Sequence, residues 1–174
     1  MQPIVLGSSS VFRRQLLEKL LDRFDTCSPD IDESPLPGEH PAQLVQRLAL
    51  QKAEAVAKAH PDALIIASDQ VSVLDGRING KPGNYENAFR QLKSSSGKQV
   101  SFFTSLCLYD ATTAKYQLDV EPLQIYFREL SDAQIERYLK KETPYNCAGG
   151  FKSEGFGITL FSRLEGRDPN TLIG

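Results

Sequence analysis

Tryptophan is absent from this chain, methionine occurs once, histidine twice and cysteine three times, and each scarcity narrows the chemistry. Cys27, Cys107 and Cys147 are odd in number, widely spaced and without a C-x-x-C pair, which argues against a disulfide framework. With only His40 and His60 as further soft ligands, a structural zinc site is equally disfavoured. Both histidines lie beside prolines at expected helix ends, so histidine-based catalysis has few candidates. No apolar run approaches the ~18 residues of a membrane span, and Met1-Gln2-Pro3 lacks the basic and long apolar regions of a signal peptide. The chain reads as cytoplasmic, with no membrane partner. An excess of either charge is missing too: 20 Lys plus Arg against 22 Asp plus Glu leave −2, which excludes a basic coat for nucleic acid. Any anionic partner must be held by a local cluster. Familiar catalytic signatures are also absent. There is no G-x-S-x-G or H-E-x-x-H, and Gly97-Lys98 resembles a Walker A tail only superficially, with Gln99 in place of Ser/Thr and Leu92 where the first glycine belongs.

What is present is an ordinary globular composition, 40% hydrophobic and 24% charged over 174 residues, which suits one domain spanning residues 1–174 and excludes disorder. Ile4-Val-Leu6 predicts a strand that turns at Gly7, and Ser8-Ser-Ser10 offers caps for a helix with Leu16, Leu17, Leu20 and Leu21 on one face. A strand near Phe24–Cys27 precedes an exposed loop rich in Pro, Gly and carboxylates, and a helix begins near Pro41. From Ala42 to His60, Leu44, Val45, Leu48, Ala49, Ala53 and Val56 recur at helical spacing, with Arg47, Gln51, Glu54 and Lys58 opposite. Ala63–Ala67 is a continuous apolar strand, followed by Ser68-Asp-Gln70, a second run Val71–Leu74 and a turn at Asp75-Gly76. A short helix over Tyr85–Lys93, a long antiparallel pair at Val100–Tyr109 and Tyr116–Phe127, a helix capped by Ser131 and Gln134, and a last strand over Gly155–Phe161 complete the prediction. The mixture favours α/β with a mixed sheet.

Several charges break the local pattern. Lys52 falls on the Leu44-Leu48-Val56 row, so it either snorkels from the stripe's edge or reaches into an anion-filled cleft. Arg13 and Arg14 sit in a helix's first turn, where cations are disfavoured by a few tenths to about 1 kcal/mol. Either they are solvated beside Glu18, or an anion docks there on backbone N–H groups, serine hydroxyls and guanidinium forks. Asp69 should emerge at the carboxyl end of a central strand, either as a turn or cap residue or at the place where open α/β sheets put their ligands. Gly80-Lys81-Pro82-Gly83 holds a lysine in a stiff turn, and Asp30, Asp32 and Glu33 supply carboxylates suited to a hard cation.

Taken together, Gly7-Ser-Ser-Ser-Val-Phe-Arg-Arg-Gln-Leu-Leu17, Asp32-Glu33, Gln51-Lys-Ala53, Ala67-Ser-Asp-Gln70, Gly80-Lys-Pro82 and Asn146-Cys-Ala-Gly149 closely resemble the Maf family of nucleoside triphosphate pyrophosphatases, across essentially the whole chain. The resemblance implies an α/β fold with an elongated mixed sheet, helices on both sides and a deep cleft between two lobes. It implies divalent-metal-dependent hydrolysis of a nucleoside triphosphate to monophosphate and diphosphate, with Mg²⁺ or Mn²⁺, and a homodimer in many members. Asp69 looks like the proton acceptor. Ser8, Arg13, Arg14, Glu33, Lys52 and Lys81 match the polar groups around triphosphate and metal, Glu33 and Asp69 being the metal carboxylates. Relatives continue beyond Asp168-Pro-Asn-Thr-Leu-Ile-Gly174, so a C-terminal helix is expected to be missing.

Phe12, Gln70 and Glu154 match the positions at which the family selects its base, and they are similar to the branch acting on 7-methyl-GTP. An aromatic face at Phe12 suits a positively charged ring, and Glu154 suits the guanine N1–H and exocyclic amine. Relatives in that branch often carry tryptophan where this chain has Phe12. The alternatives are a dTTP/UTP pyrophosphatase of the same family and a nucleotide-binding regulator of septum formation without turnover.

Overall fold

The computed structural model describes residues 2–174. In chain order its elements are β1 (Ile4–Gly7), α1 (Val11–Leu17), β2 (Asp25–Thr26), α2 (Pro41–Ala57), β3 (Leu64–Leu74), β4 (Arg77–Asn79), α3 (Tyr85–Ser95), β5 (Gln99–Asp110), β6 (Lys115–Phe127), α4 (Asp132–Glu142), β7 (Phe161–Glu165) and α5 (Asn170–Ile173). The strands form a mixed seven-stranded sheet in the order β2-β1-β3-β5-β6-β7, with β4 paired to β3. β1 runs parallel to β2 and β3, matching Ile4 to Leu64 and Gly7 to Ala67, whereas β3–β4 and β6–β7 are antiparallel. This is the α/β mixed-sheet class that the alternation of elements predicts.

The chain divides into two compact units, the first Met1–Asp69, Thr104–Glu121 and Gly174, the second Gln70–Phe103 and Pro122–Ile173. In the first unit α2 supplies the core. Pro41 opens it with a preset backbone, the Gln43 side chain accepts the His40 N–H at 3.2 Å, and Ala49, Ala53 and Val56 pack on Val5, Ile65, Ala67 and Cys107. In the second unit Phe151 lies at the centre of an aromatic cluster. Its ring meets Phe102, Phe127 and Phe161 edge-on at 5.6, 5.5 and 5.8 Å, beside Leu123, Ile125, Ile135 and Leu139. The Ser131–Gln134 capping box that opens α4 forms as predicted.

Three local expectations are corrected. The first helix stops at Leu17, because its last turn tightens (Lys19 N–H to Leu16 O, Leu20 N–H to Leu17 O), and Leu20 is left 80% exposed. Ser68-Asp-Gln70 does not end a strand, for β3 runs unbroken from Leu64 to Leu74 with Asp69 in its middle. The polar triplet is tolerated there because both the N–H and the carboxylate of Asp69 find partners within the first unit. The stretch over Gly155–Phe161 is a 3₁₀ turn, Phe156–Leu160, and β7 begins only at Phe161. The chain curls back on itself before that turn, and a curl is incompatible with an extended strand.

Phe151 is 4% exposed in this cluster, so Phe151→Ala is expected to destabilise the protein by about 3–5 kcal/mol, with Phe151→Leu costing clearly less. Urea unfolding monitored by tyrosine fluorescence measures it. Equal midpoints for Phe151→Ala and the parent would contradict a packed aromatic centre.

Candidate functional site

The helical period of α2 places Lys52 on its buried face with Leu44, Leu48 and Val56, and Lys52 is only 6% exposed. Its ammonium does not snorkel out. It lies 2.5 Å from Asp69 Oδ1 and 2.8 Å from Glu33 Oε1. Asp69 is itself 7% exposed, so the two charges face each other almost without water, and removing one partner of such a pair costs about 3–5 kcal/mol. Arg13 completes the cluster. Its Nη1 donates to the Ser68 carbonyl at 2.8 Å, while its buried Nε, like the neighbouring Ser68 hydroxyl, has no hydrogen-bond partner among the described residues. A partly buried guanidinium with a buried donor to spare, next to an unsatisfied hydroxyl, is the provision expected where an anion docks.

The electrostatics follow from this geometry. Burial pushes the Asp69 carboxyl above the usual aspartate range; Lys52 and then Arg13 pull it back, and Glu33 pushes with burial. The net direction is upward. Burial likewise pulls the Arg13 guanidinium down against the opposing influence of Asp69 and Glu33, although a guanidinium stays charged.

Two supports of this cluster escape a reading of the sequence. Ser105, fully buried in β5, accepts the Asp69 N–H at 3.0 Å and donates to the Val45 carbonyl of α2 at 2.7 Å, tying the strand beside Asp69 to the helix that carries Lys52. The only signal is a hydroxyl at an inward position of an apolar strand. Arg47, placed by its spacing on the solvent face, instead grips Glu39 with two bonds of 2.7 and 2.8 Å and donates to the Ser34 carbonyl at 3.0 Å. Glu39 also accepts the Leu36 N–H, and these bonds, the one to Arg47 first, hold its carboxyl down at about 2. The loop that follows Glu33 is thereby fastened to α2.

Not every candidate joins the cluster. Arg14 turns outward and pairs with Glu18 at 2.9 Å, with 60% of its side chain exposed, so the two first-turn arginines point different ways. An ion pair four residues on satisfies Arg14 locally. The Ser8 hydroxyl accepts the Ser10 N–H at 3.1 Å and shapes the turn into α1, where Ser10 caps the Arg13 N–H. Phe12 is half-buried on α1.

In the second unit the turn bearing Lys81 is tied down at each side: Gly80 and Pro82 carbonyls accept from Gln91 and Asn87 side chains, and the Gly83 N–H donates to Tyr145 O at 2.9 Å. Lys81 lines a groove of about 300 Å³ with Asn79, Asn87, Arg90 and Gln91. The Gln70 side chain donates to the carbonyls of Thr171 and Leu172 at α5. Glu154 is exposed on the loop before the 3₁₀ turn.

Among the described residues no group of three or more histidine, cysteine or carboxylate side chains forms a metal cage. Glu33 and Asp69 nevertheless aim carboxylate oxygens at one cation, the Lys52 ammonium. Two hard oxygen donors fit a Mg²⁺-type ion, which ordinarily completes its shell from phosphates and water. Asp30 and Asp32 do not belong to this pair; Asp32 is engaged with the Ser34 N–H at 2.9 Å.

The family model described as Maf-like protein matches residues 3–174. Among solved structures, the Ham1 protein of Staphylococcus aureus is similar with a TM-score of 0.53 and 14% identity, over 74% of this chain and 73% of that one. A HAM1 protein from Coxiella burnetii gives 0.46 and 15%, over 73% of each chain. At 14% identity the likeness to the staphylococcal protein concerns the fold alone.

Lys52→Met removes the main charge that pulls the Asp69 carboxyl down, so its titration moves further up. A carboxyl whose folded pKa exceeds its unfolded value of about 3.9 loses stability as pH rises from the unfolded to the folded pKa, and the variant should lose more, over a wider window, than the parent. Carboxyl ¹³C NMR and melting temperatures from pH 3 to 8 test this; a downward move of Asp69 would contradict the geometry.

Proposed function

The chain belongs to the Maf-like protein family, and on that premise, which makes it a nucleoside triphosphate pyrophosphatase, we propose that it hydrolyses 7-methyl-GTP to 7-methyl-GMP and diphosphate, a cleansing activity against modified nucleotides. The observation that carries the chemical part of this reading is the buried Lys52–Asp69 pair beside an Arg13 with a donor to spare. Such a cluster suits a polyanion whose hydrolysis needs positive charge and a base in one place.

In this reading Asp69 is the proton acceptor. It takes a proton from the water that attacks the α-phosphorus, a new P–O bond forms, the bond to the bridging oxygen breaks in line, and diphosphate leaves with the electron pair. Arg13 and Lys52 neutralise phosphate oxygens, with Lys81, Ser8 and Arg14 as further polar contacts that the resemblance implies. A triphosphate drawing Lys52 and Arg13 to itself weakens the pull that holds the Asp69 carboxyl down. Asp69 becomes a stronger base when substrate is bound. Glu33 and Asp69 would hold a divalent cation, Mg²⁺ or Mn²⁺, which when bound supplies phosphate neutralisation and a more acidic water.

Phe12, Gln70 and Glu154 are assigned to base selection. A 7-methylguanine ring is cationic, so the Phe12 face adds a cation–π attraction of about 0.5–2 kcal/mol, and Glu154 accepts from two guanine donors where uracil or thymine offers one.

Asp69→Asn is expected to lower turnover by at least about 100-fold while retaining nucleotide binding, measured by diphosphate release and by thermal shift with 7-methyl-GTP. Activity within a few-fold of the parent would overturn the assignment of Asp69. Across 7-methyl-GTP, GTP, UTP and dTTP, kcat/KM should be highest for 7-methyl-GTP; a preference for UTP or dTTP would replace the substrate, and tight binding without diphosphate release from any of them would favour a regulator.

A further inference from the structure

The segment Lys152-Ser-Glu-Gly-Phe-Gly157 is a closed loop held by the last turns of α4. A Cβ added to Gly157 would lie 2.1 Å from the Lys152 carbonyl oxygen, so the two ends of the loop touch backbone to backbone and only glycine fits. Gly155 backs onto Glu142, where an added Cβ would meet the carboxylate at 2.6 Å. The same carboxylate oxygen accepts the Phe156 N–H at 2.7 Å. Lys152 donates through Nζ to the Glu142 carbonyl at 3.0 Å and through its N–H to the Tyr138 hydroxyl at 2.9 Å. The Phe156 ring stacks on Tyr138 at 6.4 Å and carries the Lys141 ammonium 4.0 Å from its centroid.

Glu142 is the last residue of α4, where the negative end of the helix dipole disfavours a carboxylate. Its position is explained by the loop. An ionised acceptor makes a stronger bond to the Phe156 N–H than a neutral one, and the Thr159 hydroxyl secures the other side of the same residue by donating to the Phe156 carbonyl at 2.8 Å. With Lys152, Phe156 and Gly157 fixed, exposed Glu154 is borne on a rigid frame.

We propose that Glu142 is a positioning residue for base selection: its carboxylate fixes the 152–157 loop so that Glu154 is presented to the base in one geometry. This rests on the assignment of Glu154 to base selection made above. Glu142 touches no reacting atom, and its influence passes through Glu154.

The test is steady-state kinetics with 7-methyl-GTP and UTP on Glu142→Ala, Glu142→Gln, Glu154→Gln and the double variant Glu142→Ala/Glu154→Gln. Glu142→Ala should raise KM for 7-methyl-GTP about tenfold with kcat within about twofold, and shrink the preference over UTP. Glu142→Gln keeps an acceptor oxygen and should restore KM to within about threefold of the parent. The double variant should be no worse than Glu154→Gln alone, because the two act in series. If Glu154→Gln loses the preference while Glu142→Ala keeps KM, or loses kcat equally on both nucleotides, the positioning role is overturned and the base assignment stands. If Glu154→Gln leaves the preference intact, the base assignment itself falls, and the positioning role with it. Should Glu142→Ala fail to fold, Gly155→Ala crowds the same carboxylate and must reproduce the KM effect; an unchanged KM overturns the proposal.

Discussion

The Lys52 ammonium and the Asp69 carboxylate are held 2.5 Å apart with almost no water, and much of the first unit is arranged around that fact. Transferring an isolated ion into a protein interior costs several kcal/mol even after relaxation, so neither charge is tolerable without the other and without further polar contacts. Those contacts are present. Ser105 accepts the Asp69 N–H and donates to α2; Glu33 takes the outer side of the ammonium; Arg13 contributes positive charge through its bond to Ser68. The Arg47–Glu39 clamp then fastens the loop that delivers Glu33. Much of this polar network costs stability that a purely apolar packing would have retained, which is the pattern of a site held ready for a ligand.

The same cluster resolves the apparent conflict between a net charge of −2 and a polyanionic substrate. Association with an anion depends on the local arrangement of charge, and two cations gathered with the carboxylates of Asp69 and Glu33, one of the cations keeping a buried donor to spare, supply docking groups without altering the total. The opposing influences on Asp69 matter here. Burial raises its carboxyl while Lys52 and Arg13 lower it, so its basicity depends on how fully those cations are occupied elsewhere. A group in that balance responds to an arriving anion far more than a solvated aspartate would.

Legibility followed the range of the interaction. The helical period exposed Lys52 on an apolar row, the Pro41 and Ser131 starts were readable from capping chemistry, and the stiffness of the Lys81 turn was readable from its glycines and proline. Contacts distant in sequence were not. Ser105 acts on a residue 36 positions away, and nothing local separates it from any other serine in a strand. Arg47 was assigned to solvent because periodicity reports which face a residue occupies, whereas the Glu39 loop folds over that face. The run Gly155–Phe161 has strand-like composition, but close approach of Gly157 to Lys152 overrides it.

Charges that violate a local rule were the most informative residues, and they divide by how the violation is relieved. Arg13 and Arg14 break the same helix-dipole rule one position apart. Arg14 is relieved locally by Glu18, four residues on at the helix's C-terminal cap, so its misplacement says nothing about a ligand. Arg13 is engaged with a strand carbonyl 55 residues away and keeps a buried donor without a partner among the described residues. Glu142 breaks the rule at the opposite helix end and is relieved by the backbone of a loop, not by a neighbouring lysine. A local violation satisfied locally is a surface accident. One satisfied by a group distant in sequence, or left partly unsatisfied, marks where the fold has been built around a task, and in this chain that criterion separates Arg13, Lys52 and Glu142 from the other charges that break the pattern.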